Sequence, residues 1–240
     1  MTLRENLEEN TNNFFAGTYE ITNGYVIPSV DDIQFGKKGR ELELAMVFID
    51  IRESTKIVDG FRRETAAKMY KSFLYSVAKI ARAHDGELRS FNGDGVLMAF
   101  SGDRKRSNSV KASMQMSWYC KNILKPKIEK YFENNNQLRD INFDFGIGVD
   151  VGKVLVVRGG IRGENNNDLV WVGNATNYAV KLSSLSKDGY HLYISDNVYK
   201  NMDDSQKLGG PDKKSMWEER SWTAMDNQTI HRTSWNWVIN

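Results

Sequence analysis

One cysteine, Cys120, occurs in 240 residues, so the chain has no internal disulfide, and it suits a reducing cytosol. Long hydrophobic runs are missing too: apolar stretches end after about five residues, far short of the roughly 20 that a membrane-spanning helix needs. The first residues, MTLRENLEENTNNFF, lack the cationic-then-apolar pattern of a secretory signal, so a soluble, cytoplasmic protein with no direct membrane insertion is expected. Charge of one sign is scarce as well. Lys and Arg number 33 against 31 Asp and Glu, a net +2, which is too balanced for wrapping nucleic acid or coating an anionic membrane. Any phosphate recognition therefore has to be local. No Pro/Ser-rich linker, low-complexity stretch or internal repeat divides the chain, and one domain is expected.

Residues 1–40 are polar and mixed and read as a lead-in segment, with 41–240 as the functional domain. ELELAMVFID, beginning at Glu41, is apolar on both faces towards its end, the pattern of a central covered strand that stops at Asp50. Met69, Phe73, Val77, Ile80 and His84 then form one stripe of an amphipathic helix, closed by Asp85-Gly86. ELRSFNGDGVLMAF reads as two strands around an Asn-Gly-Asp-Gly turn, which puts Asp94 at a hairpin tip. A second helix is expected from about Arg104 towards Tyr131, kinked or ended by Pro126. INFDFGIGVDVGKVLVVRGG follows as a further pair of strands with a Gly turn, then a Gly- and Asn-rich loop, then a short helix in NATNYAVKLSSLS. HLYIS and the tryptophan-rich tail ending HRTSWNWVI, in which Trp235 and Trp237 alternate, read as strands that finish the sheet. This order predicts an α+β sandwich with a ferredoxin-like βαββαβ core and extra C-terminal strands.

Asp50 closes an apolar strand and is followed at once by IREST, where backbone N–H groups and the hydroxyls of Ser54 and Thr55 could cradle phosphates. Taken alone, Asp50 reads equally well as a cap of the next turn or helix, and Asp94 as plain turn chemistry. Placed together at neighbouring strand ends, the two carboxylates repel unless a cation lies between them, and hard oxygen ligands suit Mg²⁺ or Mn²⁺. His84, His191 and His231 have no ligand spacing and are assigned no metal.

FIDIREST, FNGDGVLMAF and WVGNATNYAVKLS, in this order and spacing, resemble the catalytic domain of class III adenylate and guanylate cyclases over roughly Glu41 to Met202. The resemblance implies that a nucleoside triphosphate becomes a 3′,5′-cyclic nucleotide and pyrophosphate, with two divalent cations held at Asp50, Ile51 and Asp94. It also implies a homodimer whose paired sites lie at the interface. Asn177 and Lys181 would reach each site from the second chain, one orienting the ribose and the other offsetting charge at the α-phosphate. Lys181 stands where most active relatives have Arg, a point charge in place of a bidentate fork. Arg158 and Arg162 are candidates for sharing its work.

The purine-reading positions of such cyclases are Ser90 and Val170 here, and neither carries the expected purine partner. Phe48, two residues before Asp50, and Asn92, two before Asp94, fall on the faces of their metal ligands; Phe48 could stack on a small ring and Asn92 could donate and accept. Losing the purine code makes the chain resemble the pyrimidine cyclases of bacterial Pycsar anti-phage systems. That implies cyclic UMP or cyclic CMP, with UTP favoured, as an alarm signal to a separately encoded effector. Two alternatives stand beside it. One is an adenylate cyclase that reads its base through Asp168, and the other a catalytically silent nucleotide-binding module.

Overall fold

The computed structural model describes residues 1–133, 143–163 and 166–239. Its elements run in the order α1 (Leu3–Phe15), β1 (Glu20–Asn23), β2 (Lys38–Ile51), α2 (Ser54–Gly60), α3 (Arg63–Arg82), β3 (Gly86–Asn92), β4 (Gly95–Phe100), α4 (Lys105–Tyr119), α5 (Lys125–Glu133), β5 (Phe145–Gly160) and β6 (Asn167–Val172). They continue through α6 (Asn174–Ser183), β7 (Leu192–Ser195), α7 (Asp196–Asn201), β8 (Leu208–Gly209), β9 (Lys214–Ser215), β10 (Glu218–Trp222) and β11 (Gln228–Thr233).

The main sheet has the order β10-β11-β7-β5-β2-β4-β3, and its stretch β5-β2-β4-β3 is the 4-1-3-2 arrangement of a ferredoxin-like core. β2 and β5 form its spine, paired antiparallel from Gly39 opposite Val157 to Ile51 opposite Phe145. β1 runs parallel to β2 beyond β4, and β6 pairs with β5 beyond β7, so both long strands serve two partners along their outer edges.

Alternation along β2 splits the interior in two. Ala45, Val47, Ile49 and Ile51 face the larger core with Met69, Phe73, Val77 and Ile80 of α3 and Val110, Met114 and Met116 of α4. Leu44, Met46 and Phe48 face the opposite side, covered by Ala175 and Ala179 of α6, by Leu169 and Trp171 of β6, and by Ile27 and Ile33 of the lead-in. The expected stripe on α3 is therefore the buried one as far as Ile80, while His84 lies beyond the helix end with its Nε2 2.6 Å from Gln115 Oε1. The chain then leaves the helix through Asp85 at φ 61, so Asp85 takes the left-handed position ahead of Gly86.

Several expectations are corrected. Phe145–Gly160 is one 16-residue strand, not two with a Gly turn, and the hairpin forms between β5 and β6 instead. Gly146 and Gly148 are there for packing: a Cβ would stand 2.1 Å from the Ser183 carbonyl oxygen at one and 2.0 Å from that of Ala179 at the other. α6 lies directly on bare backbone. Ile141, Asn142 and part of the Asn-rich loop lie outside the described residues.

The helix through Pro126 is interrupted by a π-helical turn, Cys120–Leu124, where the Lys125 N–H donates to the Cys120 carbonyl. The wider turn lies just before Pro126, whose nitrogen has no N–H to give the helix and whose ring needs room against the preceding turn. The tail leaves the sheet after Thr233. The Trp237 N–H donates to the Met114 carbonyl of α4 at 3.3 Å, and its ring packs on the larger core. The lead-in also contains α1, opened by a Thr2–Glu5 capping box and burying no residue. Cys120 is fully buried as a small core residue, and burial pushes its thiol pKa up. Among the described residues no helix is long and apolar enough to cross a membrane.

Candidate active site

Asp50 is the penultimate residue of β2, on the face of Phe48 and across from Gly146 of β5. On its other side β4 begins with Gly95, where a Cβ would lie 3.1 Å from Asp50 Oδ1 and 2.4 Å from Phe48 Cζ. The glycine is thus a gap that the Phe48 ring partly covers and the Asp50 carboxylate borders. Asn92 pairs with Gly95 across a two-residue turn of Gly93 and Asp94, and Gly93 takes φ 64 there. In the next row Phe48 pairs with Leu97, and Leu97 with Ser90. A β-bulge between Leu88 and Ser90 sets that register. The sheet therefore presents two adjacent rows on one face, Asp50–Gly95–Asn92 and Phe48–Leu97–Ser90.

Asp94 meets Asp50 at the end of these rows. Burial, then the charge and hydrogen bond of Asp94, raise the Asp50 pKa from 3.8 to about 6, against the opposing effects of Arg52 and the Ile51 N–H. Asp94 Oδ2 is buried and has no hydrogen-bond partner. An orphaned buried carboxylate oxygen beside a second carboxylate is a costly arrangement until a cation compensates it. The donor set fits a hard divalent ion. The Ile51 side chain is buried, so only its backbone can take part. No cluster of three or more His, Cys, Asp or Glu side chains occurs among the described residues, so the remaining ligands have to come from backbone, water or substrate. Tyr70 of α3 is a neighbour of the pair, its hydroxyl donating to the Ser54 carbonyl at 3.4 Å. Burial, then Asp94, push its pKa up, with Asp50 adding less.

Ser54 and Thr55 open α2 directly after Glu53, which has φ 54. Asn177 and Lys181 stand one turn apart on α6, both exposed. Lys181 Nζ lies 3.6 Å from Met225 Sδ, and no described hydrogen bond or ion pair joins either residue to Asp50 or Asp94 of the same chain. Val170 is exposed on β6 opposite Val157, at the far end of β5 from Gly146. Arg158 is held by Asn167 at 2.7 Å and stacks over Phe35, and Arg162 faces the same ring. Asp168 is exposed and accepts from the Leu169 N–H.

The sheet thus gathers Asp50, Asp94, Ile51, Phe48, Ser90 and Asn92, with Ser54 and Thr55 close by in the chain. No described hydrogen bond or ion pair joins Asn177, Lys181 or Val170 to that group. Sequence reasoning misses three neighbours. Gly95 is visible as the second glycine of Gly-Asp-Gly, Arg52 as the cation of IREST, and Tyr70 carries no signal beyond its place next to Met69.

No protein-family model matches the chain. Among curated proteins it is similar to a uridylate cyclase of Xanthomonas perforans, 34% identical over 242 aligned residues that span all of both chains. It is also similar to a uridylate cyclase of Rhodovulum sp., 30% identical over 98% of this chain and 97% of the other. Among solved structures, an adenylyl cyclase of P. aeruginosa superposes with a TM-score of 0.65 over 81% of this chain and 95% of the other at 20% identity. The guanylyl cyclase Cya2 gives 0.65 over 83% and 95% at 19% identity.

Proposed function

Since the chain belongs to the class III nucleotide cyclases, and among them to the uridylate cyclases, we propose that it closes UTP into 3′,5′-cyclic UMP with release of pyrophosphate at Asp50 and Asp94. The observation that carries the proposal is the orphaned Asp94 Oδ2 beside Asp50, at the end of a sheet row that continues into Asn92.

The ribose 3′-oxygen gives its proton to solvent and bonds to the α-phosphorus. The bond from that phosphorus to the bridging oxygen breaks, and pyrophosphate leaves with the electron pair. The Asp50 and Asp94 carboxylates and the Ile51 backbone would hold two divalent cations, Mn²⁺ or Mg²⁺, which when bound would lower the 3′-hydroxyl pKa and screen the triphosphate charge. With its pKa at about 6, Asp50 is mostly ionised at neutral pH, which suits it to a cation.

The exposed face of α6 serves a second copy of the chain in a homodimer: Asn177 orients the ribose, and Lys181 offsets charge that develops at the α-phosphate. Ser54 and Thr55 receive the phosphates. Phe48 forms an apolar floor, and Ser90 and Asn92 meet the edge of the base. Uracil offers two carbonyl acceptors around one N–H donor, and the Asn92 amide matches either carbonyl together with that N–H. Cyclic UMP then acts as a second messenger for antiviral defence, read by a separately encoded effector. Support for this role comes from the sequence resemblance and from the absent purine code at Ser90 and Val170.

Purified protein incubated with Mn²⁺ and each of ATP, GTP, CTP and UTP, with products identified by mass spectrometry, tests the proposal. Cyclic UMP as the main product is expected, whereas predominant cyclic AMP overturns it, and so does nucleotide binding without pyrophosphate release. Cyclic UMP levels in phage-infected and uninfected cells test the defence role, and equal levels refute it.

A further inference from the structure

Arg52 follows the metal strand by one residue beyond Ile51 and projects on the Asp50 face. Its Nη2 donates to the Ser183 carbonyl of α6 at 2.7 Å, a link across 131 residues of sequence. Ser183 ends α6, and among the described residues its carbonyl otherwise accepts only a long 3.4 Å bond from the Ser186 N–H. A cation on the last carbonyls of a helix is favourable both as a hydrogen bond and towards the helix dipole.

The same turn of α6 is seated on β5 with almost no clearance, since the carbonyls of Ala179 and Ser183 occupy the space of the missing side chains at Gly148 and Gly146. Such a seat fixes how far the helix stands from the sheet. It resists sliding along the strand less well, because glycine offers no side chain to stop the helix. Arg52 supplies that stop. The main chain that carries the guanidinium is itself anchored, because the Arg52 backbone N–H donates to the Asp144 carbonyl at 2.9 Å, which continues the β2–β5 ladder past Ile51.

We propose that Arg52 is a positioning residue that holds α6, and with it Asn177 and Lys181, in register with the strand end that carries Asp50. This rests on the reading above, in which α6 serves the site of the other copy. One chain's Arg52 then ties the metal half of one active site to the ribose- and phosphate-binding half of the next. The competing role is local: the Arg52 charge simply favours the Asp50 carboxylate beside it.

The two roles separate in mixed dimers. Co-purified, differently tagged chains carrying Lys181→Ala and Asp50→Ala form one intact site per dimer, with the metal ligands from the first chain and α6 from the second. Arg52→Gln is then added to one chain at a time. The proposal expects a roughly 10- to 100-fold loss of kcat when the change is on the Asp50→Ala chain, which supplies α6, and less than about threefold on the other. Arg52→Lys on the Asp50→Ala chain should recover part of the loss, because one charged donor remains. Equal losses on the two chains, or the larger loss on the chain that supplies Asp50, overturn the proposal. A mixed dimer without activity before Arg52 is touched overturns the shared-site reading itself, and the inference falls with it.

Discussion

Replacing Asp50 by Asn should make the metal-free protein more stable while abolishing turnover. In the folded chain the Asp50 pKa stands at about 6 against an ordinary 3.8, a rise that corresponds to at most ~3 kcal/mol. The carboxyl is only about half buried, so solvent screening reduces this to roughly 1–1.5 kcal/mol. The folded-state value lies above the unfolded one. The contribution of this group to stability is therefore fully present below about pH 3.8 and is lost as pH rises through about 6, so the penalty stands in full at neutral pH. For a chain of this length Asp50→Asn should raise the melting temperature by about 2–6 °C at pH 7.5 in chelator. Burial of Asp50 is the larger cause and the repulsion from Asp94 the second, so Asp94→Asn should gain only about half as much. Melting curves in chelator at pH 7.5 and pH 5 check this, with the advantage of Asp50→Asn over wild type shrinking by about half at the lower pH. A variant that melts below wild type at pH 7.5, or an advantage that does not change with pH, refutes the reasoning.

Gly95→Ala places a methyl group 2.4 Å from Phe48 Cζ and 3.1 Å from Asp50 Oδ1, so it should cost about 1–3 kcal/mol by denaturant melts and reduce turnover as well. Gly148→Ala meets the Ala179 carbonyl oxygen at 2.0 Å, backbone that can yield only by moving α6, and a loss of about 3 kcal/mol or more is expected from the same assay. Asn177→Ala and Lys181→Ala change exposed residues, so the melting temperature should stay within about 1–2 °C while kcat falls roughly 100-fold or more in steady-state assays.

Much of the core is legible in the sequence because its elements carry strong local signals. β2 is apolar on both faces, α3 bears one continuous stripe, and Gly93 with Asp94 turns the hairpin that brings the second carboxylate beside the first. β5 reads as a hairpin because its glycines look like turn residues, and their actual role is set by a helix more than 25 residues later in the chain. α1 escapes notice because its few apolar residues, Leu3, Leu7, Phe14 and Phe15, are scattered among polar ones and the helix buries none of them.

The β10–β11 hairpin and the path of the tail over α4 depend on tertiary partners rather than on alternation within a few residues. At the site, Asp50, Asp94, Phe48, Ser90 and Asn92 can be placed on one face from strand parity and the hairpin register. The Arg52–Ser183 bond joins segments that no local pattern relates, and the orphaned Asp94 oxygen exists only once the hairpin has packed against β2.

The central claim, that Asp50 and Asp94 share divalent cations at which UTP is closed, is tested most directly by anomalous diffraction from crystals grown with Mn²⁺ and a non-reactive UTP analogue. Two Mn²⁺ peaks between the two carboxylates and the triphosphate are predicted. A bound nucleotide with its metal held away from Asp50 and Asp94 would contradict the account.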